Sequence, residues 1–215
     1  MFLKIKNIPK VSWSSENTHN FRPKYSTFFF LCFGLALFGL GEGLLILSLT
    51  GASPWSVLAQ GISLNASLSI GTITLLISIG VLILWIPLNQ KLGMGTIFNA
   101  LIIALMIDLC IKFVPTPSNY LFQLFLAIVA VLMVGIGGGI YLASNLGAGP
   151  RDGLMIGLQK LTNLPIALVR AILEISVVSI GWYLGGIVGI GTLLFAFGIG
   201  PCVALGLYFV NKIFN

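Results

Sequence analysis

Charge is what this chain lacks. Of its 215 residues only 7% are Asp, Glu, Lys or Arg, against about 25% in soluble domains. A water-facing surface cannot be built from so few charges. With 58% hydrophobic residues and a mean hydropathy of +1.09, the chain is expected to fold within a lipid bilayer. Histidine is nearly absent, and the single one, His19, precedes the first apolar run. That excludes an H-E-x-x-H metal site, and with no G-x-S-x-G elbow it leaves every serine and cysteine without a base. No catalytic residue, metal or cofactor is expected. Cysteine is scarce too: Cys32, Cys110 and Cys202 lie in apolar stretches with no C-x-x-C, the setting of small hydrophobes rather than of disulfides or zinc ligands. The net charge of +6 does not signal nucleic acid, because five of the eleven basic residues (Lys4, Lys6, Lys10, Arg22, Lys24) sit together before the first apolar run. Such a cluster marks a cytoplasmic flank.

Long apolar runs are what the chain has. Six are evident, at about 27–49, 69–88, 94–113, 119–144, 165–184 and 189–211. Each supplies about 20 residues, enough as a helix to cross roughly 30 Å of hydrocarbon. All are expected to be helices, since lipid cannot satisfy an open sheet edge. The first run starts too late for a cleaved signal peptide and reads as an uncleaved first span. Residues 1–26 read as a flexible basic tail with room for a short surface-lying piece. With that tail inside, Lys91, Arg151, Lys160, Arg170 and Lys212 fall on the cytoplasmic side and only Lys112 outside. This predicts a multi-pass protein of the cytoplasmic membrane with both termini cytoplasmic.

The chain also repeats itself. Gly147-Ala148-Gly149-Pro150-Arg151 lies 96 residues after Gly51-Ala52-Ser53-Pro54-Trp55, and the same offset carries Gly39, Gly41 and Gly43 onto Gly135, Gly137 and Gly139, and Gly93-Met94-Gly95-Thr96 onto Gly189-Ile190-Gly191-Thr192. A frame held without a gap over that length signals an internal duplication. The fold class is then all-α, with six transmembrane helices in two three-helix repeats, residues 27–113 and 119–211. Each repeat also holds a short piece, 54–65 and 150–161, about 18 Å long and unable to cross. Ser53-Pro54 and Gly149-Pro150 read as N-cap and first helical position after the breaks at Gly51 and Gly147. The short helices either lie in the interface or dip in from it. An odd number of crossings per repeat turns the second upside down, and inverted repeats with broken helices recur in secondary transporters.

Ionisable groups inside apolar runs cost at least about 2.5–3.5 kcal/mol to insert and so mark candidate sites. Glu42 lies deep in the first run. Arg170 and Glu174, one helical turn apart in the fifth, share a face and can pair. Arg151 and Asp152 stand at the start of the second short helix, where free N–H groups favour anions. Glu42 is a candidate cation or proton site, with Arg170–Glu174 as gate or counter-charge; a structural pair and an inter-helix hydrogen bond are the alternatives. Asp108 and Lys112 suggest an interfacial ion pair. None of these charges is duplicated, since Glu42, Arg170 and Glu174 correspond to Gly138, Thr74 and Ser78. The G-x-x-x-G pairs Gly39/Gly43 and Gly135/Gly139 let backbones approach closely, and the first and fourth spans are expected to cross there.

Leu146-Gly147-Ala148-Gly149-Pro150-Arg151-Asp152-Gly153, Gly157-Leu158, Thr162, Gly189-Ile190-Gly191-Thr192 and Gly200-Pro201 together resemble the YczE/YyaS/YitT-like group of bacterial integral membrane proteins. Arg151 departs from the Trp that the group often has there. The resemblance implies a bacterial cytoplasmic-membrane protein and brings no activity with it. The expected function is a small secondary transporter or permease for an unknown ion or small molecule. The alternative is a non-transporting membrane partner that anchors or stabilises another protein, with a homodimer possible in either case.

Overall fold

The computed structural model describes residues 8–214, and among these there is only helix, turn and loop. Eight helices follow one another: α1 (Tyr25–Leu47), α2 (Pro54–Ala66), α3 (Ile70–Trp85), α4 (Met94–Phe113), α5 (Tyr120–Ala143), α6 (Pro150–Thr162), α7 (Ile166–Tyr183) and α8 (Ile190–Phe214). Five of them, α1, α4, α5, α7 and α8, are long and apolar enough to cross a membrane. The second apolar run, 69–88, is the exception. It suggests a helix to residue 88, whereas α3 has 16 residues and stops at Trp85, because Pro87 has no N–H to give the preceding turn and its ring crowds it. It joins α2 at a bend of 114°, making a broken span or re-entrant pair.

Helix starts recur 96 residues apart: Pro54 and Pro150, Ile70 and Ile166, Met94 and Ile190. So do the kinks. The positive-φ residues among those described fall into the pairs Leu49/Asn145, Gly51/Gly147, Ser67/Asn163 and Asn89/Gly185. At Gly51 and Gly147 φ is +116° and +117°, a conformation that L side chains rarely adopt. Helix ends match as well, Ser48 and Ser144 each donating a side-chain hydrogen bond of 2.6 Å to the carbonyl three residues back.

Contacts between the halves are reciprocal. The Gly95 amide donates to the Leu146 carbonyl at 2.8 Å, and the Gly191 amide, 96 residues on, donates to Thr50, 96 residues before Leu146, at 2.9 Å. The α1–α5 crossing obeys the same exchange. A Cβ on Gly41 would meet Val134 and the Ala130 carbonyl, and one on Gly137 would meet Phe38 and the Gly34 carbonyl. Gly34 faces Gly137 and Tyr141 while Gly41 faces Ala130 and Val134, so the two helices run antiparallel.

The G-x-x-x-G pairs do not form this crossing. Gly39 and Gly43 seat α4 at Met106 and Cys110, and Gly135 and Gly139 seat α8 at Cys202 and Gly206. Periodicity explains the division. Gly34 and Gly41 are seven residues apart, two turns, and share a face; Gly39 and Gly43 lie on another.

The tail is partly docked rather than loose. Trp13 is 3% exposed and stacks on Phe30 with centroids 4.5 Å apart, Ser14 donates to the Ala143 carbonyl, and Asn145 donates to the Ser15 carbonyl. Lys4 and Lys6 lie outside the described residues. With His19 at the Leu92 carbonyl, the tail, the α3–α4 loop and the α5–α6 loop gather at one end of the bundle. The α2–α3 and α7–α8 loops meet at the other, where Asn65 donates to the Leu184 carbonyl.

Candidate functional site

The two broken helices point their first turns at each other. Proline at the first helical position of α2 and of α6 fixes the turn and withdraws one N–H. Neither Ser53 nor Gly149 caps its helix with a side chain. The first turns meet where the Arg151 guanidinium lies over the Trp55 ring, 5.3 Å from its centroid. Arg151 and Trp55 are themselves 96 residues apart, each the second residue of its helix.

Between these turns lies a cavity of about 260 Å³. Glu42 enters it from α1, Tyr141 from α5, Thr74 and Ser78 from α3, Arg170 and Glu174 from α7, Asn99 and Ile103 from α4, and Phe195 and Ile199 from α8. Thr74/Ser78 and Arg170/Glu174 are repeat counterparts, as are Asn99/Ile103 and Phe195/Ile199. The cavity therefore sits where equivalent positions of the two halves converge.

Glu42 is 1% exposed. Its Oε2 accepts from Ser53 Oγ and from Ser56 Oγ, both at 2.7 Å, and its Oε1 is buried without a partner. An unmet buried acceptor costs about 1–3 kcal/mol, more when charged. Asp152 accepts from the Tyr141 hydroxyl at 2.8 Å, and Arg170 donates to Glu174 at 2.7 Å. Glu42, Arg151, Asp152, Arg170 and Glu174, the five charged residues proposed from the sequence as site residues, thus line one cavity. Arg151, half-buried, and Asp152, exposed, stand in the first turn of α6 at the edge of the cavity, while Lys160 and Thr162 are exposed at its far end.

Asp108 and Lys112 do not pair. Asp108 accepts from the Gly71 amide at 2.7 Å and from Ser69 Oγ at 2.6 Å, and Lys112 lies over the Phe113 ring. A carboxylate at a helix N-terminus gains backbone N–H groups and the helix dipole together, which an exposed i,i+4 lysine cannot match.

This clamp closes α3 on α4, and the equivalent seam is open. Gly71 packs on the Ala104 carbonyl and Asp108, and Gly71, Thr74 and Ala104 are buried; their counterparts Ala167, Arg170 and Gly200 are exposed. A Cβ on Gly200 would meet nothing within 4 Å. α3 and α4 thus close over one side of the cavity, and α7 and α8 stand apart at the equivalent place.

Tyr141, Ser53, Ser56, Trp85 and Asn99 are missing from the sequence-level candidates. Thr74 and Ser78 could have been found, since the offset places them opposite Arg170 and Glu174. Trp85, whose indole donates to the Pro150 carbonyl at 2.9 Å, carries no signal beyond its size.

Comparisons with known proteins fit this picture. Residues 25–207 match the model of a family of unknown function, DUF6198. An uncharacterized protein of Haemophilus influenzae is 40% identical over 210 residues, 98% of this chain and 95% of its own. The uncharacterized membrane protein YczE of Bacillus subtilis is 30% identical over 178 residues, 79% of each chain. The uncharacterized protein YyaS of the same organism is 31% identical over 169 residues, 75% of this chain and 82% of its own. YczE and YyaS belong to the group that the loop and turn motifs resemble. No solved structure matches. The apolar helices and the membrane-protein relative together make this a membrane protein.

Proposed function

We propose that this chain, which belongs to the DUF6198 family, is a small secondary transporter or permease of the bacterial cytoplasmic membrane. The observation that carries this is Glu42: a half-satisfied carboxylate lining a cavity at which the first turns of two broken helices meet. Broken helices whose N-termini face a shared cavity are how secondary transporters build midplane sites. An irregular backbone is tolerated at membrane depth only where it lines such a cavity or is buried in protein.

The reading takes the chain as two inverted repeats of three spans, counting α2–α3 as one broken span. The reciprocal contacts and the antiparallel α1–α5 crossing support it. The end that carries the tail also carries Lys91 and Lys160, which supports placing it in the cytoplasm. The open α7–α8 seam then faces the cytoplasm and the Asp108 clamp seals the outside. A non-transporting partner protein calls for a solid interior, and the cavity weighs against it.

Reconstitution tests the proposal. Proteoliposomes challenged with a panel of small ions, amines, carboxylates and sugars are followed by light scattering as they shrink and reswell. At least one solute should enter faster than into protein-free liposomes, and Glu42→Gln should abolish the difference. Identical traces for protein-containing and protein-free liposomes across the panel would overturn it.

A further inference from the structure

We infer that the cavity takes a small protonated amine, with its N–H donated to Glu42 Oε1. The inference deepens the transport reading and rests on the same site. Three observations carry it. Oε2 of Glu42 is already saturated by two serine hydroxyls, while Oε1 is buried and lacks any donor. A bound group that supplies one removes the cost of an unmet acceptor, and an ionised donor does so with a charge-assisted bond, about twice as strong as a neutral one.

The charge count selects a monocation. Glu42, Asp152 and Glu174 contribute three formal negative charges and Arg151 and Arg170 two positive ones. Arg170 is taken by Glu174 at 2.7 Å. That leaves Arg151 as the one cation against two carboxylates of the same lining, Asp152 and Glu42, so one negative charge has no counterpart. A cation of charge one completes the set; a dication or an anion does not.

The walls select an organic cation over a bare ion. Beside the charged groups and the polar Ser53, Thr74, Ser78 and Asn99, the lining carries Phe38, Ile103, Tyr141, Phe195 and Ile199, surfaces that hold alkyl groups and, for the rings, attract cations. A metal cation would need several oxygens around it, and among the described residues no group of three or more His, Cys, Asp or Glu is placed to hold one. The volume of about 260 Å³ falls below the roughly 300–1,000 Å³ of sites for drug-sized ligands, which keeps the amine small.

Thermal unfolding of the detergent-purified protein tests this with ethylammonium, ethanol, tetramethylammonium, acetate and potassium, each as a titration. Ethylammonium should raise the unfolding midpoint in a saturable way, and its apparent Kd should weaken at least tenfold in Glu42→Gln. The wild-type series alone is decisive should that variant fail to fold. Equal stabilisation by tetramethylammonium removes the need for an N–H donor, equal stabilisation by ethanol removes the charge, and equal stabilisation by potassium removes the organic part. Any of these, or binding of acetate alone, overturns the inference. Saturable amine binding without flux in proteoliposomes would sink the transport reading and leave this one standing. Flux of another solute with no amine binding would do the reverse.

Discussion

Adding a single methyl group at Gly137 should damage this protein more than adding one at Gly80. A Cβ on Gly137 would lie 2.6 Å from the Gly34 carbonyl oxygen and 2.6 Å from the Phe38 amide nitrogen. Ordinary contact begins near 3.4 Å, so the helices must part by roughly 0.8 Å, and both obstructing atoms are backbone, which no rotamer change can move. Overpacking of this kind costs about 1–3 kcal/mol. For a chain of this size each kcal/mol lowers the melting temperature by about 2–4 °C on the scale of soluble domains, giving about 2–12 °C for Gly137→Ala in detergent. Gly80 sits within α3, and a methyl added there would find nothing within 4 Å. Gly80→Ala should leave the midpoint unchanged or raise it, since alanine is the better helix former by up to about 1 kcal/mol. Reciprocity adds a sharper demand. Gly41→Ala strikes Val134 Cγ2 at 2.8 Å and the Ala130 carbonyl at 2.9 Å across the same crossing, so it should cost about as much. The double variant should cost less than the sum, because the separation forced by one methyl makes room for the other. Equal midpoints for Gly137→Ala and Gly80→Ala, or strict additivity of the pair, would refute the crossing as drawn.

Asp108→Asn weakens the clamp on Ser69 and Gly71 and is expected to cost about 1–2 kcal/mol, with faster hydrogen exchange at the start of α3; Lys112→Ala should leave both unchanged, and the opposite ranking would restore the ion pair. In a background with the three native cysteines replaced by serine, Gly200→Cys should react rapidly with a water-soluble maleimide while Ala104→Cys, its counterpart on the closed seam, stays slow; equal rates would mean that both seams open alike. Trp13→Ala removes a 3%-exposed aromatic stacked on Phe30 and edge-on to Phe214. It should cost about 3–5 kcal/mol and render the segment before α1 cleavable by limited proteolysis, whereas an unchanged digestion pattern would mean that the tail is held by other contacts.

The breaks, the spans and the cavity charges were legible because each rests on a local or periodic property. Proline after serine or glycine starts a helix wherever it stands, and a glutamate in a run such as Gly39 to Leu47 has no cheap place in lipid. Residues with two acceptable local fates were not legible. Asp108 looks equally able to pair with Lys112 one turn away or to cap a helix, and only the approach of Ser69 and Gly71, far back in the chain, decides it. Trp13 is buried by a groove among α1, α5 and α8 that no window of sequence contains. The glycine pairs misled for a similar reason: G-x-x-x-G announces a close approach but not which neighbour makes it, and the single glycines at 34, 41 and 137 turned out to hold α1 against α5.

The duplicated scaffold and the unduplicated charges have one cause. Because both halves contribute equivalent positions to the same cavity, copying Glu42 would place a second carboxylate at Gly138, across about 260 Å³ from the first. Two like charges a few ångströms apart in that setting repel by several kcal/mol at an effective dielectric near 20. Gly138 makes this testable, since a Cβ there meets only Val203 Cγ2 at 3.3 Å and the Phe38 ring at 3.7 Å. Gly138→Ala should therefore be tolerated, and whatever Gly138→Glu loses beyond it reports the larger side chain and its charge. Adding Glu42→Gln to Gly138→Glu separates the two: the double variant should melt higher than Gly138→Glu alone, although Glu42→Gln by itself is expected to be harmful. If instead the two losses simply add, the carboxylates do not sense each other, and positions 42 and 138 do not share a cavity.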